Sequence, residues 1–299
     1  MMETKQQNPS VRSVGLFFFS GTGNTAVLMA DLVAEFQHRG VCTSLAEIET
    51  FTLKNAMPDI GHCDLIGLGY PVHAFNAPRI VFDFVKLLPP GNGRRVFLLK
   101  CPGDHFANAG STGPMRRALH RRGYDVVHEG LAVMPANFAV RYPPALTREL
   151  HAIARRRLAV YVEELLAGTR RLQKNTLGAC LMTCLSPFER GGAKMLRLHF
   201  FVRPACTGCG LCATHCPAAN ISMQDGRPRF GWKCLCCLRC VYLCPVKAIG
   251  LRGFDRMLFK DGYNIRATLE TPETTAKFLR PGMKGYFRRF LEYAKGPDN

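Results

Sequence analysis

The sequence predicts an α/β protein in which a doubly wound parallel sheet is followed by a small, cysteine-rich α+β domain. Three observations carry this prediction. Short apolar, β-forming runs alternate with helical patterns over roughly the first 170 residues. A loop of small polar residues follows the first of these runs. Two cysteine runs of identical spacing lie in the last third of the chain.

Length and composition bound the architecture. The chain has 299 residues, enough for about two domains, and 47% of them are hydrophobic, which is ample for packed cores. The predicted parts are an α/β domain (1–170), a linker (171–199), a cysteine-rich domain (200–252) and a C-terminal extension (253–299). The longest apolar runs are far shorter than the roughly 18 residues of a membrane span, and the polar N-terminus lacks a signal-peptide core. We therefore expect a cytoplasmic protein.

The first strand and the loop after it form a predicted phosphate site. The strand is predicted at Val14–Phe19, and a helical pattern of apolar residues follows the loop and closes at Arg39-Gly40. Free amide hydrogens and the positive end of the helix dipole attract phosphate at such a loop. The candidate ligands are Ser20, Thr22, Gly23, Asn24 and Thr25.

This segment can be compared with three kinds of nucleotide-binding loop. A Walker-type loop needs Gly-Lys-Ser/Thr, and the absence of a lysine disfavours a nucleoside triphosphate. The dinucleotide fingerprint fits in its permissive form, Gly21-x-Gly23-x-x-Ala26, with Glu47 or Glu49 beyond the next strand. The many hydroxyl and amide side chains suit a terminal phosphate better than a bridging pyrophosphate. This favours FMN over NAD.

The alternation of strands and helices continues through the domain. Further strands are predicted at Val41–Ala46, Asp64–Tyr70, Arg95–Lys100 and Val126–Val133. Helices are predicted at Arg79–Leu88, Pro114–Arg122 and Thr147–Ala167. In doubly wound sheets the ligand lies beyond the carboxyl ends of the strands. Three loops should therefore meet around it: Ser20–Thr25, Tyr70–Pro78 and Cys101–Ser111.

The second and third of these loops have the composition of a flavin site. Aromatic rings and stiff prolines suit stacking on a flat isoalloxazine. The candidate contacts are Tyr70, Pro71, His73, Phe75 and Phe106. His73 and the pair Asp104-His105 are also candidates for proton transfer, with ordinary loop residues as the alternative interpretation.

The two cysteine runs share the pattern C-x-x-C-x-x-C-x-x-x-C-P. In this pattern three cysteines of one run and the fourth cysteine of the other run hold each iron–sulfur cluster. The expected ligands of one [4Fe–4S] cluster are Cys206, Cys209, Cys212 and Cys244. Those of the second are Cys234, Cys237, Cys240 and Cys216. A reducing, low-oxygen setting follows from such clusters.

Zinc and disulfides are the alternatives for these cysteines. Zinc ribbons use knuckles of two cysteines, so knuckles of three followed by Cys-Pro fit zinc poorly. Disulfide frameworks are typical of short secreted chains. Cys236 adds a thiol to the second run, and we interpret it as an ordinary buried thiol, with a spare ligand as the alternative. Cys180 and Cys184 lie four residues apart in the linker.

The charge of the chain bears on its partners. The formal net charge is +18, and residues 101–200 and 201–299 carry 15 and 16 basic residues against seven acidic residues each. Nucleic acid is disfavoured because no recognition signature is present. An acidic redox protein such as a ferredoxin, a flavodoxin or a dehydrogenase is the expected partner, attracted near Arg227, Arg229 and Lys233. The basic, aromatic stretch Gly285–Lys295 should form an amphipathic helix on the protein's own surface, with peripheral membrane contact as the alternative.

The motif Ser20-x-Thr22-Gly23-Asn24-Thr25 after an apolar strand resembles the flavodoxin phosphate loop, and the cysteine runs resemble a bacterial 2[4Fe–4S] ferredoxin. A chain with both is similar to the EFR1-type flavodoxin–ferredoxin fusion proteins of anaerobic bacteria and archaea. The resemblance implies a flavodoxin-like fold that binds FMN, followed by a domain with two [4Fe–4S] clusters. The single tryptophan, Trp232, lies in the cysteine-rich part, so other side chains must sandwich the flavin.

The sequence thus favours an electron-transfer protein that passes electrons between FMN, two clusters and an external redox partner. Clusters carry single electrons, whereas a flavin exchanges one or two, so the pair can connect both kinds of chemistry. Two other functions stay open. One is an FMN-dependent reductase of an organic substrate or a nicotinamide, fed by the clusters. The other is an iron–sulfur redox sensor.

Overall fold

A computed structural model of the chain describes residues 11–73, 75–105, 112–173, 195–271 and 277–296. Its main sheet contains β1 (Ser13–Phe18), β2 (Cys42–Glu47), β3 (Leu65–Pro71), β4 (Arg95–Cys101) and β5 (Asp125–Leu131). All neighbouring pairs are parallel, and the strand order is β2-β1-β3-β4-β5. This is the order of the flavodoxin-like doubly wound fold, so the predicted fold class is confirmed.

Helices cover both faces of this sheet. They are α1 (Asn24–His38), a single turn α2 (Glu49–Thr52), α3 (Arg79–Leu87), α4 (Thr112–Arg121) and α5 (Pro144–Leu166). Apolar side chains of α1 and α5 pack on one face, and those of α3 and α4 pack on the other. The predicted strands and helices are all present with boundaries shifted by a few residues. The turn α2 was not predicted, because four residues are too few for a helical period.

The continuous apolar run of the first strand follows from its place in the sheet. In β1, Leu16 and Phe18 enter the core beneath α1 and α5. Phe17 and the following Phe19 enter the core beneath α3 and α4. Because side chains alternate between faces, a strand covered by helices on both sides must be apolar at every position.

The cysteine-rich part is built from two short antiparallel ribbons and two helical turns. One ribbon pairs β6 (Phe200–Val202) with β9 (Ile249–Leu251), and the other pairs β7 (Ile221–Gln224) with β8 (Arg227–Phe230). The helical turns are α6 (Leu211–Thr214) and α7 (Arg239–Leu243). Asp225 and Gly226 join β7 to β8 with φ angles of 49° and 69°. Positive φ at both positions is what an Asp-Gly hairpin turn requires.

The C-terminal extension wraps back onto the α/β domain. It contains α8 (Ile265–Glu270), a 3-10 turn at Tyr286–Arg289 and α9 (Phe290–Lys295). The amphipathic stretch predicted at 285–295 is therefore α-helical only in its second half. Its apolar side chains Phe290 and Tyr293 are 0% and 4% exposed and pack with α5, as self-packing requires. No helix in the described ranges combines the length and apolar character needed to cross a membrane.

We expect Tyr293→Phe to lower the free energy of unfolding by about 1–3 kcal/mol. The Tyr293 hydroxyl accepts a hydrogen bond of 2.9 Å from the buried backbone N–H of Val133, and its loss leaves that donor unpaired. Urea denaturation measures the change. Glu292→Gln, on the exposed side of the same helix, is the matched control and should leave the unfolding midpoint in place. Equal stability of Tyr293→Phe and the unmodified chain would show that the extension does not contribute to the fold in this way.

Candidate functional site

The phosphate loop is held by its own first residue. Gly23, with a φ of 105°, precedes α1, and the Ser20 hydroxyl oxygen accepts hydrogen bonds of 3.2 Å from the backbone N–H groups of Gly23 and Ala26. A positive φ of this size is strained for any residue with a side chain, which explains the glycine. Ser20 thus shapes the loop from within and is occupied as an acceptor.

The three loops expected from the sequence converge on one cavity of about 180 Å³. A fourth segment, 135–138, completes its wall and was missed from the sequence, although it follows the carboxyl end of β5. The lining residues from the expected loops are Ser20, Gly21, Thr22, Asn24, Thr25, Pro71, Val72, His73, Cys101 and Gly103. We call this space the phosphate-loop cavity.

The polar side chains of the phosphate loop differ in what they already bind. The Thr22 hydroxyl accepts a hydrogen bond of 2.8 Å from Asn137 Nδ2. The Asn24 amide donates to the Pro135 carbonyl at 2.7 Å and accepts from the Tyr263 hydroxyl at 2.6 Å. The Thr25 hydroxyl is buried beside the Cys101 thiol and makes no other hydrogen bond within the described residues. Thr25 is therefore the side chain of this loop least committed to other protein groups, while the Thr22 hydroxyl, which only accepts here, can still donate to a ligand.

Of the candidate flavin contacts, Pro71 and His73 line the cavity. Tyr70 does not, because its side chain is 0% exposed in the apolar core beneath α3 and α4. Phe75 also lies outside the lining, at a turn closed by backbone hydrogen bonds of 2.9 Å between His73 and Asn76. Phe106 is not among the described residues. The interpretation of Tyr70 as a stacking residue is thus wrong in this structure.

Of the candidate proton-transfer groups, His73 lines the cavity, whereas Asp104 and His105 contact the C-terminal extension. Burial lowers the pKa of His73 to about 4, so its imidazole is neutral at neutral pH. Asp104 pairs with Arg289 at 2.5 Å, and His105 stacks on Tyr293 with ring centroids 5.8 Å apart. Asp104 and His105 therefore anchor the C-terminal extension. Burial also raises the pKa of Cys101 to about 12, which keeps this cavity thiol protonated.

The eight cysteines of the two runs surround two separate cavities. One is lined by the thiol-bearing residues Cys206, Cys209, Cys212 and Cys244, and we call it cavity 1. The other is lined by Cys216, Cys234, Cys237 and Cys240, and we call it cavity 2. Each cavity therefore takes three cysteines from one run and the fourth from the other. In the described ranges no three His, Cys, Asp or Glu side chains meet closely enough to hold a single metal ion.

The β7–β8 hairpin spans both cavities through the alternation of its side chains. Met223 and Pro228 line cavity 1, whereas Ile221 and Phe230 line cavity 2. The fourth cysteine of each run accepts a backbone hydrogen bond of 3.2 Å from the residue four positions later in the chain. The two halves therefore repeat one local design. Cys236, the additional thiol, lines neither cavity.

Cavity 2 lies directly against the phosphate loop. A Cβ atom on Gly21 would stand 2.7 Å from the Cys237 carbonyl oxygen, so only glycine allows this approach. Cys237 belongs to the same buried apolar cluster as Phe19. Arg239 donates to the Ser20 carbonyl at 2.6 Å. These long-range contacts, which no local sequence pattern indicates, bring the two halves of the chain together.

A larger groove of about 770 Å³ opens on the far side of the phosphate loop. The α/β domain, the cysteine-rich domain and the C-terminal extension all contribute to it. Its charged lining residues are Arg141, Arg239, Lys247 and Asp261. Arg141 is paired with Asp261, so the charge of the lining is positive on balance.

Comparisons with known proteins agree with this division of the chain. The 4Fe-4S dicluster domain family matches residues 200–245. Among curated proteins, none matches the chain. The strand order and the family match together indicate a flavodoxin-like α/β domain followed by a 4Fe–4S dicluster domain.

Three solved structures are similar to the α/β part. The Megasphaera elsdenii flavodoxin is 21% identical with a TM-score of 0.34, over 40% of this chain and 85% of that one. A Streptococcus pneumoniae flavodoxin is 17% identical with a TM-score of 0.37, over 52% of this chain and 98% of that one. Rubredoxin oxygen:oxidoreductase from Desulfovibrio gigas is 17% identical with a TM-score of 0.37, over 53% of this chain and 38% of that one.

Proposed function

We propose that the protein transfers electrons between FMN at the phosphate-loop cavity, two [4Fe–4S] clusters and an external redox protein. The observation that carries this proposal is the contact between cavity 2 and the phosphate loop. The Gly21 backbone lies so close to Cys237 that a Cβ atom on Gly21 would stand 2.7 Å from the Cys237 carbonyl oxygen. A cluster in cavity 2 would therefore lie beside the phosphate end of the flavin site, and a cluster in cavity 1 would be the more distant electron carrier.

The residues of the phosphate-loop cavity fit the phosphate end of FMN. Flavodoxin-like sheets of this strand order bind FMN at the switch point between β1 and β3. The N-terminus of the 15-residue helix α1 and the Thr25 hydroxyl supply donors there. The volume of about 180 Å³ is below the roughly 300 Å³ of small-molecule pockets, so we assign only the phosphate end to this space. When bound, FMN exchanges one or two electrons, whereas each cluster exchanges one.

The surface around cavity 1 is the proposed docking face for the external partner. Cys209 is exposed, and Leu211 and Val246, which also line cavity 1, are 38% and 40% exposed. On β8, Arg227 and Arg229 point to solvent, while the residues between and after them face the two cavities. Apolar contacts ringed by positive charge suit an acidic redox protein. Electrons would pass between partner and flavin by way of cavity 1 and then cavity 2.

Reconstitution under anaerobic conditions tests this function. We expect about eight iron and eight acid-labile sulfide atoms per chain, as two four-iron clusters require. Chromatography of the denatured protein should release one FMN. Rapid mixing with a reduced low-potential donor should bleach the cluster absorbance first and the flavin afterwards. Release of FAD, or of no flavin, would contradict the proposal.

Thr25→Ala should weaken FMN binding by about 1–3 kcal/mol, because phosphate oxygens would lose a hydroxyl donor that nothing else in the cavity replaces. Fluorescence titration of the flavin-free protein measures the change. Thr25→Ser keeps the hydroxyl and should keep the affinity. Thr22→Ala should also weaken binding, but by less, since the Thr22 hydroxyl is already bonded to Asn137. Undiminished affinity in Thr25→Ala would remove Thr25 from the phosphate site.

The 770 Å³ groove supports a second candidate, a reductase of an anionic organic substrate or a nicotinamide. Its volume is within the range of about 300–1,000 Å³ of ligand pockets, and it lies where three parts of the chain meet. Lys247 contributes exposed positive charge. Reoxidation of the reduced protein by a panel of anionic compounds tests this candidate. If no compound reoxidises the reduced protein faster than buffer alone, electron transfer to a protein partner is favoured.

A further inference from the structure

Arg239 joins the two halves of the proposed site. It begins α7 and lies between two cysteines of cavity 2. Its guanidinium donates to the carbonyl oxygens of Ser20 at 2.6 Å and Gly21 at 3.3 Å, and to the Glu49 carboxylate. A further hydrogen bond of 3.3 Å reaches the His215 carbonyl. The side chain is only 20% exposed, so these bonds are shielded from competing water.

The two carbonyl bonds fix the orientation of two peptide units in the phosphate loop. In a trans peptide the C=O and N–H bonds point in opposite directions, and the described chain contains no cis peptide. Because the Ser20 and Gly21 carbonyls point at Arg239, the N–H groups of the same peptide units, on Gly21 and Thr22, point away from it. Arg239 lines the large groove on one side of the loop and does not line the phosphate-loop cavity on the other. The guanidinium thus directs two amide donors away from itself, and both belong to residues that line the phosphate-loop cavity.

Because Glu49 pairs with Arg239, the effect of Arg239 on the loop depends on where its donors point rather than on its charge. Its carboxylate is 9% exposed and pairs with the guanidinium, which neutralises the buried positive charge. Arginine presents several donors in a rigid planar fork and can bond two carbonyls and a carboxylate at once, whereas lysine presents a compact point charge. A lysine at this position would keep the charge and lose the fork.

We infer that Arg239 is a positioning residue for a phosphate monoester at the flavodoxin-like loop. A residue of the cysteine-rich domain thereby orients the amide donors of the phosphate site in the α/β domain. The inference rests on the proposed binding of FMN and extends it, since binding of the flavin phosphate then depends on the docked position of the cluster loop.

Comparing the binding of FMN with that of riboflavin, which lacks the phosphate, distinguishes a role at the phosphate from a general role in docking the domains. Both flavins are titrated into the flavin-free, cluster-loaded chain and into Arg239→Lys and Arg239→Gln, with fluorescence quenching as the readout. We expect both variants to bind FMN roughly tenfold more weakly and riboflavin as tightly as the unmodified protein. The matched control is Arg203→Gln, which breaks a 2.7 Å pair between the cysteine-rich domain and Asp255 of the C-terminal extension and should change neither affinity.

Each other outcome overturns the inference in an identifiable way. Equal losses for FMN and riboflavin would show that Arg239 only docks the domains. Full FMN affinity in Arg239→Lys would show that charge rather than orientation matters, and full affinity in both variants would remove any role at the loop. Failure of the unmodified protein to bind either flavin would instead refute the proposed function, and this inference with it. Iron content measured in parallel identifies variants that have lost a cluster.

Discussion

Cys216→Ser should abolish or convert the cluster in cavity 2 and leave the one in cavity 1, and Cys244→Ser should do the reverse. Each cavity takes its fourth thiol from the other cysteine run, as the placement of Cys216 among residues of the second run shows. A hydroxyl is a poor substitute for the thiolate that iron–sulfur clusters require. We therefore expect the iron content to fall from about eight to about four atoms per chain in each variant, or to about seven where a three-iron cluster survives.

EPR spectroscopy of the reduced protein identifies which cluster is lost. The cluster in cavity 2 adjoins the proposed flavin site, so Cys216→Ser should slow reduction of the flavin by an external donor as well as removing one EPR signal. Cys244→Ser should remove the other signal. Cys236→Ser is the matched control: this side chain lines neither cavity, and serine keeps a hydrogen-bonding group beside Cys234, so both signals should persist. If each variant instead loses the cluster held by the other three cysteines of the mutated run, all four ligands of a cluster come from one run, and the crossed arrangement is wrong.

Much of the α/β domain could be predicted because its signals are local. A strand covered on both faces reads as a continuous apolar run, and a helix after a small-residue loop reads as a period of 3.6. The cysteine spacing is equally local, and the two cavities group the thiols in the sets that the spacing indicates. The structure of these parts can be predicted from segments of about ten to twenty residues, on the order of one strand–loop–helix unit.

Tyr70 shows where a sequence pattern was misread. Its position before a loop rich in aromatics and prolines favours a flavin contact. Yet β3 extends through Pro71, and Leu68 and Tyr70 share the face that meets α3 and α4. Side chains two residues apart in a strand point the same way. The alternation already present in the sequence would have placed Tyr70 in the core.

The contacts between the domains could not be predicted in the same way. Arg239 meets Ser20 across 219 positions of sequence, and Gly21 admits Cys237 only because the two domains dock at that point. Such contacts depend on the relative placement of folded units rather than on any periodicity. The loop sequence accounts for a glycine at position 21 by backbone freedom and by the approach of a phosphate. It does not indicate that the backbone of Cys237 also packs against this glycine.

Replacing Arg227 and Arg229 by glutamate should slow association with an acidic redox protein by between about tenfold and a hundredfold at low ionic strength. Both side chains point outward on β8, and the segment 201–299 carries 16 basic against seven acidic residues. Two bound clusters would subtract only about four charges from this excess. The segment 201–299 therefore keeps a positive formal charge when both clusters are bound.

The salt dependence of electron transfer measures this attraction. Raising the ionic strength from 0.01 M to 0.1 M shortens the Debye length from about 30 Å to about 10 Å and should slow the unmodified protein more than the double variant. Arg12→Glu combined with Arg121→Glu makes the same change in net charge at the amino edge of the main sheet, away from the cysteine cavities, and should have a much smaller effect. Because the two double variants carry equal total charge, a difference between them reports where the partner docks. Rates that respond equally to both, or that stay flat with salt for every acidic carrier, would contradict docking beside cavity 1 and favour the substrate-reductase alternative.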